Sequence, residues 1–312
     1  MSDVIKDFDP AFYRPCAFPI LRKLGYGSAL SINNGLIGDP FATSLDVSLS
    51  VFDDQGQLIK TIENIQKLAV GEIAKIDSRE YIKDIADSEQ GNLLGVLHLV
   101  PSGMNGKSSV DVTKVELLAH MSAGDDFIEF RQEPKGVITG VAYQVGQQND
   151  LRFNSSRRTL VQAPKVIVRK NLDTLLALMN VSTRFSYSET ASFDYVLVNP
   201  SGNVIAQSSI SIPAWTYRLI SMHDLLESAG LKESFIAEGG LGMLIGSSED
   251  AGLIPISLTR NLESGAIACD HSLPPVYYFS TWGGTARIMA HNSLVEKFFS
   301  KDMKDAKTNG RN

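Results

Sequence analysis

The sequence predicts an all-β chain of two tandem antiparallel β-sandwich lobes, related by internal duplication and each carrying one short helix. Three observations predict it. Short runs of alternating apolar and polar residues recur between turn residues, which is the period of a half-buried strand. Their order repeats in the second half of the chain. The length of 312 residues, 43% of them hydrophobic, leaves room for two domains that each bury a core.

Residues 1–27 read as an N-terminal arm. Between Phe8 and Pro19 four aromatics and three prolines fall within twelve residues, a proline spacing that forbids a regular helix. The aromatics must bury, either on the chain's own sandwich or on a neighbouring subunit. Residues 28–150 read as the first sandwich. Val47-Ser-Leu49-Ser-Val51 alternates, Asp53-Asp-Gln-Gly56 turns, and Gln57-Leu-Ile59 begins the return strand, a hairpin signature.

Residues 171–290 repeat this order. Phe193-Asp-Tyr195-Val-Leu197 alternates, Asn199-Pro-Ser-Gly202 turns and Asn203-Val-Ile205 returns, so Gly56 falls on Gly202 and Ile59 on Ile205. Ser28–Asn34 matches Thr174–Asn180, and Ala74–Glu80 matches Arg218–Asp224. In both copies of the last pair a polar residue precedes an acid by three positions, Asp77 to Glu80 and Ser221 to Asp224, a spacing that caps a helix start. Leu94–Leu97 echoes Leu241–Leu244, and Glu116-Leu-Leu118 parallels Ile256-Ser-Leu258. The order of elements carries the repeat; few letters do.

Between the copies, residues 151–170 read as an interlobe linker with six basic residues and no acid: Arg152, Arg157, Arg158, Lys165, Arg169 and Lys170. In a chain of net charge −6 this is a local field toward anions, either pairing with acidic surface or holding an anionic ligand between the lobes. Residues 291–312 read as a short helix followed by a polar tail.

The run Val196-Leu-Val-Asn-Pro-Ser-Gly-Asn-Val-Ile205, with Ile210-Ser-Ile-Pro-Ala214 and Leu219–Leu225, resembles the sensory rhodopsin transducer family of single β-sandwich domains. The first copy is similar only in outline, with Val70-Gly71 where Pro213-Ala214 stands. The resemblance covers about 60 residues of each copy and no catalytic motif. It implies a β-sandwich that oligomerises and holds a small ligand or a protein partner.

The net charge of −6 and pI near 5.4 argue against nucleic acid or an anionic membrane as partner. Charges break every apolar run at the N-terminus, and no stretch reaches bilayer-spanning length, so a cytoplasmic protein is expected. Cys16 and Cys269 show no metal or redox spacing and read as two thiols, with one disulfide as the alternative. The five histidines, His98, His120, His223, His271 and His291, form no metal-ligand pattern, so neither metal nor cofactor is expected. Gly239-Gly-Leu-Gly242 runs into an apolar strand rather than a helix and reads as a loop tip.

Reactive side chains are densest from Cys269 to His291. Asp270, His271 and His291 are the candidate catalytic residues, and Arg260, Tyr277, Tyr278, Trp282, Arg157 and Arg158 the candidate ligand contacts. Histidine and aspartate can act as acid and base, and aromatic faces stack on flat or sugar-like ligands. Adjacent strand residues point to opposite faces, however, so Asp270 and His271 would not share one pocket wall. The sequence therefore favours a non-enzymatic binding or assembly protein, a homo-oligomer taking a small polar or anionic ligand or a protein partner. The alternative is a hydrolase or isomerase acting on a polar, sugar-like substrate through Asp270 and His271.

Overall fold

A computed structural model describes residues 16–33, 44–85, 91–102, 114–121, 140–141, 159–161, 165–182, 187–249, 251–270 and 293–299. The fold is all-β, with four antiparallel sheets and a few short helices. In the first lobe β1 (Cys16–Ile20), β3 (Leu45–Phe52), β4 (Leu58–Leu68) and β6 (Leu93–Pro101) form one sheet in the order β1-β6-β3-β4. Its other sheet has the order β5-β2-β7-β8, from β2 (Tyr26–Asn33), β5 (Ile73–Asp77), β7 (Lys114–Met121) and β8 (Gly140–Val141).

The second lobe runs β9 (Thr159–Val161), β10 (Lys165–Ile167), β11 (Leu172–Asn180), β12 (Ala191–Val198), β13 (Val204–Ile212), β14 (Thr216–Ser221), β15 (Leu241–Ser248), β16 (Ile254–Asn261) and β17 (Ile267–Asp270). Its sheets have the orders β10-β15-β12-β13, with β9 also on β15, and β14-β11-β16-β17. Among the described residues, β9 apart, these orders match the first lobe's strand by strand. The register agrees as well: Ala29 sits between Asp77 and Leu118, and Leu175 between Ser221 and Leu258, so residues matched in sequence hold matching places.

The two hairpin turns show why the pattern repeats. Asp53 Oδ1 accepts from the backbone N–H groups of Gln55 and Gln57, and Asn199 Oδ1 accepts from those of Ser201 and Asn203. A short side-chain acceptor thus closes each turn. Gly56 and Gly202 follow at φ 78° and 80°, where an L side chain is strained. Their surroundings differ. A Cβ on Gly56 would lie 2.0 Å from the Ala214 carbonyl oxygen in the other lobe, whereas one on Gly202 would meet open space. Gly202→Ala is therefore expected to cost about 1 kcal/mol, the strain alone. Gly56→Ala is expected to cost about 2–3 kcal/mol more, because backbone must move. Urea unfolding of both variants checks this, and equal losses would contradict the contact.

Helix starts lie where the capping pattern puts them. Asp77 caps α1 (Ser78–Ile82) by accepting from the Arg79 N–H, and Ser221 caps α2 (Met222–Ser228) by accepting from the Asp224 N–H. The second lobe adds α3 (Lys232–Ala237), which buries Phe235. Residues 293–299 form α4, whose Phe298 packs on Val196, Val198 and Ile245. Two segments have more structure than the sequence suggests. Cys16–Ile20, read as arm, is a strand of the first lobe's own sheet, paired with β6. Lys165–Ile167, read as linker, is a strand paired with β15. Both are short and proline-adjacent, so alternation could not mark them.

Strand β11 joins the lobes. Leu176 and Leu178 enter the second lobe's core, while Leu175, Ala177 and Met179 enter the core shared with the first lobe. Alternation sends neighbouring residues to opposite faces, and here both faces are buried. Tyr217, Ile254, Ile256 and Leu258 line the same shared face. Across it Trp215 stacks on Phe52 with ring centroids 5.0 Å apart, and the Tyr217 hydroxyl donates to the Ile20 carbonyl.

Candidate functional site

Of the candidate residues, Arg260 is the one whose side chain is described, and it stands beside a residue that sequence reasoning missed. Asp173 and Arg260 are directly opposed on β11 and β16. Their alternation places them on the face of Leu175 and Leu258, toward the first lobe. The Asp173 side chain is fully buried. Its Oδ2 accepts from Arg260 Nη2 at 3.3 Å and from Ser221 Oγ at 3.0 Å, and its Oδ1 accepts from the His223 N–H at 3.0 Å.

The arrangement reaches into α2. The Asp224 N–H donates to Ser221 Oγ, whose hydroxyl donates on to Asp173. A carboxylate from β11 and a hydroxyl from β14 therefore satisfy two free N–H groups of the helix start, where negative charge is favourable. The signal was present in the sequence: Asp173 is the one charge in the apolar run Leu172–Met179. In the first lobe the same register position pairs Gly27 with His120, so the ion pair belongs to the second lobe alone.

Arg260 keeps capacity beyond this pair. About a quarter of its side chain is exposed, while its buried Nε has no acceptor. Across the seam the Tyr26 hydroxyl donates to the Gly265 carbonyl at 2.8 Å. Burial pushes the Tyr26 phenol above its ordinary range, and the Arg260 charge pulls it part of the way back. The seam thus brings together a carboxylate, a guanidinium, a hydroxyl and a phenol, a set suited to holding polar or anionic groups.

The backbone of Asp270 ends β17 opposite Ser257, and Cys269 is opposite Leu258. His271, Tyr277, Tyr278, Trp282, His291, Arg157 and Arg158 lie outside the described residues. Lys165, Arg169 and Lys170, the described part of the basic stretch, are exposed. Among the described residues no group of three or more His, Cys, Asp or Glu side chains could hold a metal ion. Nor is any described helix long and apolar enough to cross a membrane.

His98 is a second buried polar group, on β6. Its Nε2 lies 2.9 Å from Ser50 Oγ on β3, and Ser50 also meets Thr61 at 3.1 Å. Complete burial pushes the imidazole down to about 3, so it stays neutral in the folded chain. The unfolded chain takes up this proton near pH 6.5 and the folded chain only near pH 3. His98 therefore contributes stability above pH 6.5 that is lost as pH falls through that window, by about 1.4 kcal/mol per pH unit. Between pH 6 and 4 the stability of His98→Leu is expected to fall less steeply than the parent's by about that amount. Urea unfolding at stepped pH checks this, and parallel slopes would contradict it.

No protein-family model matches the chain, and no curated protein does. Solved structures similar to it include a glycosyl hydrolase family 2 member from Bacteroides cellulosilyticus, at 9% identity and a TM-score of 0.19 over 84% of this chain and 27% of that one. A putative β-galactosidase from Bacteroides fragilis is similar at 11% identity and a TM-score of 0.16, over 83% and 31%. A Bacteroides uniformis β-glucuronidase is similar at 9% identity and a TM-score of 0.14, over 88% and 27%. The chain spans less than a third of the length of each.

Proposed function

We propose that this is a non-enzymatic binding and assembly protein, built by tandem duplication of one β-sandwich and fused into a single scaffold. The observation that carries the reading is how the buried polar groups are employed. Asp173 takes donors from Arg260, Ser221 and the His223 backbone; His98 is held neutral beside Ser50; Tyr217 donates to the Ile20 carbonyl. Each holds strands, a helix start or the two lobes in place. The matched strand orders and registers support the duplication.

The ligand class is small and anionic, and the place is the seam beside Arg260. A carboxylate or phosphate oxygen there would form a charge-assisted hydrogen bond with the exposed part of the Arg260 side chain. Calorimetric titration with inorganic phosphate and with succinate tests this. Saturable binding is expected for at least one, weakened at least about tenfold in Arg260→Gln with the fold retained. Binding untouched by that substitution, or none at all, would reject the site.

A further inference from the structure

We propose that the outer edge of β13 is an interface on which the same strand of a second copy of this chain docks, antiparallel, about a local twofold axis. Among the described residues β13 ends its sheet, with β12 its one sheet neighbour. Gln207, Ser208, Ser209 and Ser211 are exposed along it. A free edge presents unpaired N–H and C=O groups, and soluble proteins guard such edges with charges, prolines or bulges. From Val204 to Ile212 the strand carries no charge and no proline, and its one register irregularity lies at the turn end.

The first lobe supplies the comparison. Strand β4 holds the same place in the same topology and is guarded throughout. It carries Lys60, Glu63 and Lys67, a register shift interrupts its pairing between Val47 and Leu49, and Asn64 adopts φ 50°. One edge of the repeat is blocked and its counterpart is bare. Among the described residues, β4 with its eleven residues apart, the other strands at sheet ends are six residues or shorter, against nine for β13.

A second copy fits this edge through its own composition. About an axis near Ser208, Gln207 would face Ser209 of the other copy and Ala206 would face Ile210, so no like charges meet and small side chains oppose larger ones. The sheets β10-β15-β12-β13 of two copies would then form one continuous sheet. This deepens the assembly half of the functional reading and leaves the ligand at Arg260 aside.

Sedimentation equilibrium up to about 100 μM tests it on the full chain. A reversible dimer is expected. Gln207→Lys with Ser209→Lys places lysine opposite lysine twice and should weaken the dimer at least about tenfold. Mixing that variant with one carrying Gln207→Glu and Ser209→Glu should restore association as a heterodimer. Circular dichroism confirms that each variant is folded; should the double variants unfold, the same exchange is made at Gln207 alone. A wild-type monomer across that range overturns the proposal, as does a dimer indifferent to the lysines or unrestored by mixing. A monomer that still binds phosphate or succinate would overturn the edge and leave the Arg260 site standing.

Discussion

Asp173→Ala is expected to lower the stability of the folded chain by about 3–5 kcal/mol, enough to threaten folding at physiological temperature. The substitution removes one member of a buried ion pair and strands the rest. Arg260 keeps a buried guanidinium edge without its counter-charge, Ser221 Oγ loses its acceptor, and the His223 N–H at the start of α2 is left bare. Asp173→Asn should cost less, about 1–3 kcal/mol, because an amide oxygen can still accept from the helix N–H. Adding Arg260→Met to Asp173→Asn should recover part of that loss, since an apolar side chain of similar length ends the uncompensated charge. Denaturant unfolding of the three variants gives the order. If Asp173→Ala fell within 1 kcal/mol of the parent, the cluster would be ornament.

Trp215→Ala is expected to cost about 3–5 kcal/mol through lost packing, with the ring's stack on Phe52 and its Nε1 donation to the Tyr187 carbonyl among the losses. The backbone adds a finer test. Trp215 has φ 59°, a conformation a bulky residue seldom adopts, and the corresponding turn of the first lobe has Gly71 at φ 79°. Among the contacts that hold the tryptophan there, its backbone N–H donates to the Asn180 carbonyl at 2.7 Å and its ring lies against the other lobe. Once the ring is gone the strain remains for alanine but not for glycine. Trp215→Gly should therefore be more stable than Trp215→Ala by about 1 kcal/mol, the reverse of the usual order in a regular strand or helix. Thermal or urea unfolding of the pair decides it, and the usual order would show that the backbone at 215 carries no strain.

What was readable in the sequence was whatever local chemistry specifies. Asp53 with Gly56, and Asn199 with Gly202, need only their own neighbours to make a turn, and Ser221 with Asp224 needs only the first turn of a helix. Strand pairing followed, because alternation ties each residue to a face. The candidate site was less readable. Arg260 was singled out, but its partner Asp173 lies 87 residues away and meets it only through the β11–β16 register. As the one charge in Leu172–Met179, Asp173 stands out locally, but nothing local names the partner it meets. The shared core was hidden for a related reason: the run Leu175–Met179 reads as one buried strand, and periodicity cannot say that its two faces belong to different lobes.

That two-faced strand bears on how the chain can come apart. Cutting between the lobes would bare Leu175, Ala177, Met179, Ile254, Ile256 and Leu258 on one piece and their covering residues on the other. The two lobes thus share a strand order without being separate units of folding. Neither half can be lifted out, shuffled or truncated as an independent module without creating an aggregation-prone surface. Melting should accordingly proceed as a single cooperative event, with no plateau in which one sandwich survives the other.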